Sequence, residues 1–143
     1  MSDIPDDLRY TKDHEWVRFE ETGDPSTITA IVGITHYAQD ALGDITFADL
    51  PDTSDDTVTS EGEVVLVVES VKAASDIYMP IDGKIVEANM KLEDEPELIN
   101  SEPYDSGWMF KIEIDIEGDI DAFYNTLDGV LLDDKEYSNI VGL

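Results

Sequence analysis

The residue best placed for chemistry in this chain is a lysine presented at a turn. Lys72 is one of 8 Lys and Arg residues among 143, against 35 Asp and Glu. It sits in Glu69-Ser70-Val71-Lys72-Ala73-Ala74-Ser75-Asp76. The apolar run Val64-Val65-Leu66-Val67-Val68 leads in, and Ile77-Tyr78-Met79-Pro80 leads out. Two such runs around a short polar break read as a hairpin with Lys72 at its tip. The ordinary role of a hairpin lysine is a solvated turn residue. Three features count against that role here. The chain almost avoids lysine. The turn lacks the Asn-Gly or Asp-Gly pair that usually closes a tight hairpin. Val71, Ala73 and Ala74 keep the approach uncrowded. The pattern makes Lys72 a presented residue, one that something else is meant to reach.

No second constellation competes with it. The two histidines, His14 and His36, have no partner at metal-ligand spacing and read as surface or capping residues. There is no glycine-rich phosphate loop, and Asp55-Asp56 lacks the ligand pattern of a calcium loop. The absence of cysteine excludes disulfides and thiolate metal sites. With 35 acidic residues, any given carboxylate pair reads as a solvated face. No Ser-His-Asp set stands out, so no catalytic residue is proposed and the chain does not read as an enzyme.

The charge bounds the partners. A net charge of -27 repels phosphate, which disfavours nucleic acid and anionic membrane surfaces. The acidic residues are spread along the chain and lysine is scarce. Such a surface repels itself at low ionic strength and is screened at high ionic strength. The expectation is a cytoplasmic protein of a halophile that accumulates salt. Met1 to Asp7 lacks the basic and apolar regions of a signal peptide. No apolar run approaches the length of a membrane span.

Short strands must hold Lys72 in place. The segment from His14 to Glu20, a turn at 21–25 and the segment from Ser26 to Ile34 make a first hairpin. Thr35 to Gly43 reads as a short helix, with Thr35 as N-cap and Gly43 after its end. A strand follows from Ile45 to Leu50, then a solvated acidic loop at 52–56. Gly83 opens another strand over 84–89. The stretch from Leu92 to Tyr104, with Pro96 and Pro103, reads as an extended loop. Beyond a turn at 105–107 the alternation is clean. It puts Trp108, Phe110, Ile112, Ile114 and Ile116 on one face, and Met109, Lys111, Glu113 and Asp115 on the other. Asp119 caps a helix bearing Ile120, Phe123, Tyr124 and Leu127, and a last helix covers 135–141. A faint repeat relates Gly43-Asp44-Ile45 to Gly83-Lys84-Ile85, which points to two similar half-sheets. The whole, 1–143, reads as one domain, with a core over about 10–117 and a C-terminal helical segment over about 119–141.

Several long motifs then converge. Glu69-Ser70-Val71-Lys72-Ala73 with Ser75-Asp76 resembles the lipoylation site of the glycine cleavage system H-protein family. Tyr10 to Val17 resembles that family's opening strand, and Val32 to Asp44 its helix and following strand. Leu98 to Tyr104, with Gly107-Trp108-Met109, resembles its late loop and last core strand. The resemblance covers nearly the whole chain. The departures lie in the acidity, the loop at 52–56 and the insertion-like segment 22–26, and none touches the Lys72 turn.

The resemblance implies a mainly β fold. It would be a flattened barrel-sandwich, a hybrid like lipoyl and biotinyl domains, with a short internal helix and C-terminal helices. It implies that Lys72 carries lipoic acid in amide linkage, an arm with a reach on the order of 14 Å at ordinary bond lengths. The arm would carry the aminomethyl group of glycine from glycine decarboxylase to aminomethyltransferase, and dihydrolipoyl dehydrogenase would reoxidise it. A lipoate ligase or transferase would attach the group. Glu15 and Asp13 would line a cleft that shelters the loaded amine. Glu69 and Asp76 would serve recognition by the lipoylating enzyme. Two other readings stand beside this one: a relay that donates lipoyl groups to other enzymes, and an acidic interaction module with no prosthetic group. A biotin carrier would show Met on both sides of its lysine, where this chain has Val71 and Ala73.

Overall fold

Among the described residues, eight short strands and five short α-helices follow from local patterning, and the strands pack as two unequal sheets. The computed structural model describes residues 4–51, 53 and 58–142. The acidic loop expected at 52–56 lies, apart from Thr53, outside the described residues. In chain order come β1 (Arg9–Tyr10), β2 (Glu15–Glu21), β3 (Thr27–Ile34), α1 (His36–Leu42) and β4 (Ile45–Asp49). Next are β5 (Val64–Ser70), β6 (Ala74–Tyr78), β7 (Lys84–Ala88), α2 (Lys91–Asp94) and α3 (Leu98–Ser101). The chain ends with β8 (Phe110–Asp115), α4 (Ile120–Thr126) and α5 (Asp134–Val141).

One sheet has the order β1-β2-β3-β8-β7, the other β4-β5-β6, and every pairing is antiparallel. The two face each other as an open sandwich. Val17, Ile28, Ala30, Val32, Phe110 and Ile112 from the larger sheet meet Ile45, Ala48, Leu66, Val68 and Ile77 from the smaller one, all buried. This is the mainly β, two-sheet architecture expected. The two repeat segments open strands in different sheets, β4 and β7, but the sheets have three and five strands.

The helix caps work as their residue types require. The Thr35 hydroxyl accepts from Ala38 N, and Gly43 closes α1 at φ +79° with its N–H on Gln39 O. Asp119 caps α4, and Asp133 with Glu136 forms a reciprocal capping box on α5. The C-terminal helices lie on the larger sheet's side. Phe123 and Tyr124 pack edge-on against Phe19, and Tyr137 stacks on Tyr10 with ring centroids 4.8 Å apart.

Two expectations need correction. The stretch from Leu92 to Tyr104 is not extended; it folds into the single-turn helices α2 and α3. Pro96 opens the second of these turns, where its missing N–H costs nothing. The alternation at β8 also begins later than expected. Phe110, Ile112 and Ile114 are buried, but Met109 is fully buried and Trp108 only half-buried. Alternation of faces holds only inside the hydrogen-bonded ladder. Residues 108 and 109 precede it, where Met109 bonds to Val32 and Asn89.

Candidate functional site

The Lys72 turn is closed by a serine hydroxyl. Ser70 N donates to Ala73 O at 2.8 Å. The Ser70 Oγ accepts from Lys72 N at 3.2 Å and Ala73 N at 3.1 Å, and donates to Ala73 O. A side chain that satisfies the backbone in this way replaces the left-handed glycine turn. Among the described residues, His14 is the sole non-glycine with positive φ, so no residue of the turn adopts one. The turn is docked as well as closed: Val71 N donates to Asp44 O at 3.0 Å.

Lys72 is exposed, and so are Val71, Ala73 and Ala74. Arg9 pairs with Asp128, Arg18 donates to Tyr104 O, and Lys111 lies over Trp108 and near Glu87. Lys72 forms no ion pair with any described residue. Its stem lies on Gly43, where an added methyl would come within 3.2 Å of Cε. Gly43 therefore answers two demands, the positive φ after α1 and the close approach of the lysine. Phe47 and Val71 leave 46% and 65% of their surface exposed beside the turn, an apolar rim around a charged tip.

Glu69 and Asp76 flank the turn on β5 and β6, both exposed. Glu15 and Asp13 lie elsewhere, at the far end of β6. They line a cleft of about 390 Å³ with Thr11, Lys12, Tyr78 and Ile140. β6 begins at Ala74, just after the turn, and ends at Tyr78, so the cleft lies about 13 Å along the strand from the turn.

Glu15 is 1% exposed. Its Oε1 accepts from the Thr11 hydroxyl at 2.8 Å and its Oε2 from Tyr78 N at 3.0 Å. It thus ties β2 of one sheet to the end of β6 in the other. Burial pushes its carboxyl up to about 7, with the two hydrogen bonds pulling the other way. Asp13, by contrast, is exposed at the cleft's edge.

The histidines serve structure. His14 is half-buried; its Nδ1 meets the Tyr137 hydroxyl at 2.8 Å, its ring packs on Tyr37, and burial lowers its basicity. His36 opens α1, with its N–H on the Tyr104 hydroxyl. No group of three or more potential metal ligands occurs among the described residues, and no described helix is long and apolar enough to cross a membrane.

Sequence reasoning placed Lys72 at a turn tip but missed what holds the turn. Ser70 was legible in principle, because a serine two residues before the tip can bond the turn's own N–H groups. The contact of the Lys72 stem with Gly43, and a hydrogen bond from Asn100 Nδ2 to Gly43 O, join residues far apart in the chain, and no local signal marks them.

Comparison with known proteins adds four findings. The family model described as glycine cleavage H-protein matches residues 8–141. A glycine cleavage system H protein of Aeromonas salmonicida is 46% identical over 141 residues, covering 99% of this chain and 98% of that one. One from Alteromonas mediterranea is 51% identical over 134 residues, covering 90% and 98%. The crystal structure of a glycine cleavage system H protein from Mycobacterium marinum superposes with TM-score 0.77 at 35% identity, covering 98% of this chain and all of that one.

Proposed function

The chain belongs to the glycine cleavage H-protein family, and on that premise we propose that Lys72 is the attachment point of its lipoyl arm. It is the lipoyl-carrier component of the glycine cleavage system and not itself a catalyst. The whole chain acts as one carrier domain. The observation that carries the assignment is the exposed Lys72, on a turn pinned by Ser70 and docked on Asp44, inside the matched region.

The residues at the turn fit a lipoyl group. The amine faces solvent, its stem has a floor in Gly43, and no described carboxylate pairs with it. When attached, the lipoyl group supplies a disulfide–dithiol pair that takes up and gives back the aminomethyl group of glycine. The protein's own part is placement. Ser70 fixes the turn's backbone, Val71 N–H anchors it, and the small side chains of Ala73 and Ala74 leave room for a partner's active site.

The partners follow from the system. Glycine decarboxylase loads the aminomethyl group, aminomethyltransferase unloads it, and dihydrolipoyl dehydrogenase reoxidises the dithiol. A lipoate ligase or transferase attaches the group, with Glu69 and Asp76 beside the turn as recognition charges. Glu15 and Asp13 offer the cleft in which a cationic amine would be sheltered. A cation there favours ionised Glu15, so its arrival would release a proton from a carboxyl poised at about 7. The acidic surface is that of a cytoplasmic protein adapted to high salt. Its melting temperature should climb steadily from low to molar salt, and a salt-independent melt would remove that reading.

Lys72→Arg tests the assignment. The variant keeps the charge but cannot accept the acyl group, so it should abolish glycine cleavage in a system reconstituted from the four components. Activity equal to that of the unsubstituted protein would sink the proposal.

A further inference from the structure

The floor under Lys72 is fastened by one side chain from the α3 turn. Asn100 Nδ2 donates to Gly43 O at 2.9 Å and to Gln39 Oε1 at 2.8 Å, and its Oδ1 accepts from Ile45 N at 2.8 Å. The Ile45 N–H can only donate, which fixes the amide's orientation and makes its nitrogen the donor to the other two. Gln39 Oε1 is thereby an acceptor, so Gln39 Nε2 donates to His36 Nδ1 at 2.8 Å. Gln39 is itself 7% exposed. One half-buried amide thus joins the last turn of α1, the Gly43 bend and the first residue of β4.

That bend is what the Lys72 turn rests on. Asp44 O receives Val71 N–H, and Gly43 lies under the lysine stem. Apart from Asn100 and the Val71 contact, the bend is held by the Gly43 N–H on Gln39 O, and Asp44 sits between helix and strand. The β4–β5 ladder is also irregular between Ile45 and Phe47, so sheet pairing alone does not set its height.

We infer that Asn100 is a positioning residue for Lys72: by fastening Gly43, Asp44 and Ile45 it sets the direction in which the lysine stem leaves the protein. The inference rests on Lys72 being the attachment point. In lipoyl attachment the free amine attacks the carbonyl of a lipoyl-adenylate donor. The C–N bond forms, the C–O bond to the phosphate breaks with its electron pair, and the amine loses its proton to solvent. A stem held in one direction presents the amine in line with that carbonyl; a loose stem does not.

The test is steady-state lipoyl attachment to the full chain by a lipoate–protein ligase with lipoate and ATP. Asn100→Ala should lower kcat about tenfold and leave KM within about twofold, because orientation is lost while the docking surface is kept. Asn100→Asp retains the acceptor for Ile45 N and loses both donors, and should fall with Asn100→Ala. Ile28→Ala, a core truncation in the other sheet, serves as the stability control and should keep kcat within about twofold despite a lower melting temperature. Hydrogen exchange of the Val71 amide gives a readout independent of the ligase: it should quicken in Asn100→Ala while core strand amides hold. Unchanged kcat in Asn100→Ala, equal slowing in Ile28→Ala, or unchanged Val71 exchange overturns the inference. If the unsubstituted chain takes no lipoyl group, the attachment reading falls, and Val71 exchange alone decides the Asn100 inference.

Discussion

The two ends of β6 are built in opposite ways. At its start, Lys72 projects from a turn held by hydrogen bonds among exposed groups. At its end, Tyr78 N–H reaches a carboxylate that is almost wholly buried. Hydrogen bonds among exposed groups add little to stability, because water competes for every partner. Buried ones add more, and their loss leaves an unsatisfied group. The contrast separates two jobs along one strand. The exposed end is free to be handled by several enzymes in turn, and the buried end holds the two sheets in register around a cleft.

Breaking the buried end should have the largest effect on stability. Glu15→Ala strands Tyr78 N–H and the Thr11 hydroxyl, and should cost about 1–3 kcal/mol in chemical unfolding. Glu15→Gln keeps an acceptor for Tyr78 and separates charge from hydrogen bonding. The native protein binds the Glu15 proton more tightly than the unfolded chain, since its carboxyl is raised from 4.5 to about 7. Its contribution is therefore full below about 4.5 and lost as pH rises to about 7. Glu15→Gln should become more stable relative to the parent across that window, by up to about 3 kcal/mol at pH 8. A constant difference between pH 4 and pH 8 would contradict the buried, raised carboxyl.

Loosening the exposed end should barely register in stability. Ser70→Ala removes the hydroxyl that closes the turn and should cost no more than about 1 kcal/mol. It should still slow lipoyl attachment, because the turn loses its fixed shape. A large loss of stability with normal attachment would reverse the comparison.

What was legible in the sequence was local. The β2–β3 hairpin, the Thr35 cap, the Gly43 bend and the alternation of Phe110, Ile112 and Ile114 each follow from a few neighbouring residues. Lys72 was legible because a lysine is rare here and its neighbours are small. The helices α2 and α3 were not, since four residues are too few to show a helical period and Pro96 reads as a breaker. That hid Asn100. The burial of Glu15 was equally hidden, because one inward carboxylate among 35 acidic residues carries no local mark. The family resemblance pointed to Glu15; its place between two sheets emerged only from the fold. Glu69 and Asp76, singled out in the same way, are ordinary exposed acids on the hairpin, and the recognition role proposed for them rests on position alone.

The central claim is that the exposed end of β6 carries the prosthetic group. Intact mass and peptide mapping of the full chain, after expression with a lipoate ligase and lipoate, test it most directly. The account predicts one added lipoyl group per chain, mapped to Lys72 and absent from Lys72→Arg. An unmodified Lys72, or a lipoyl group on any other lysine, would contradict it.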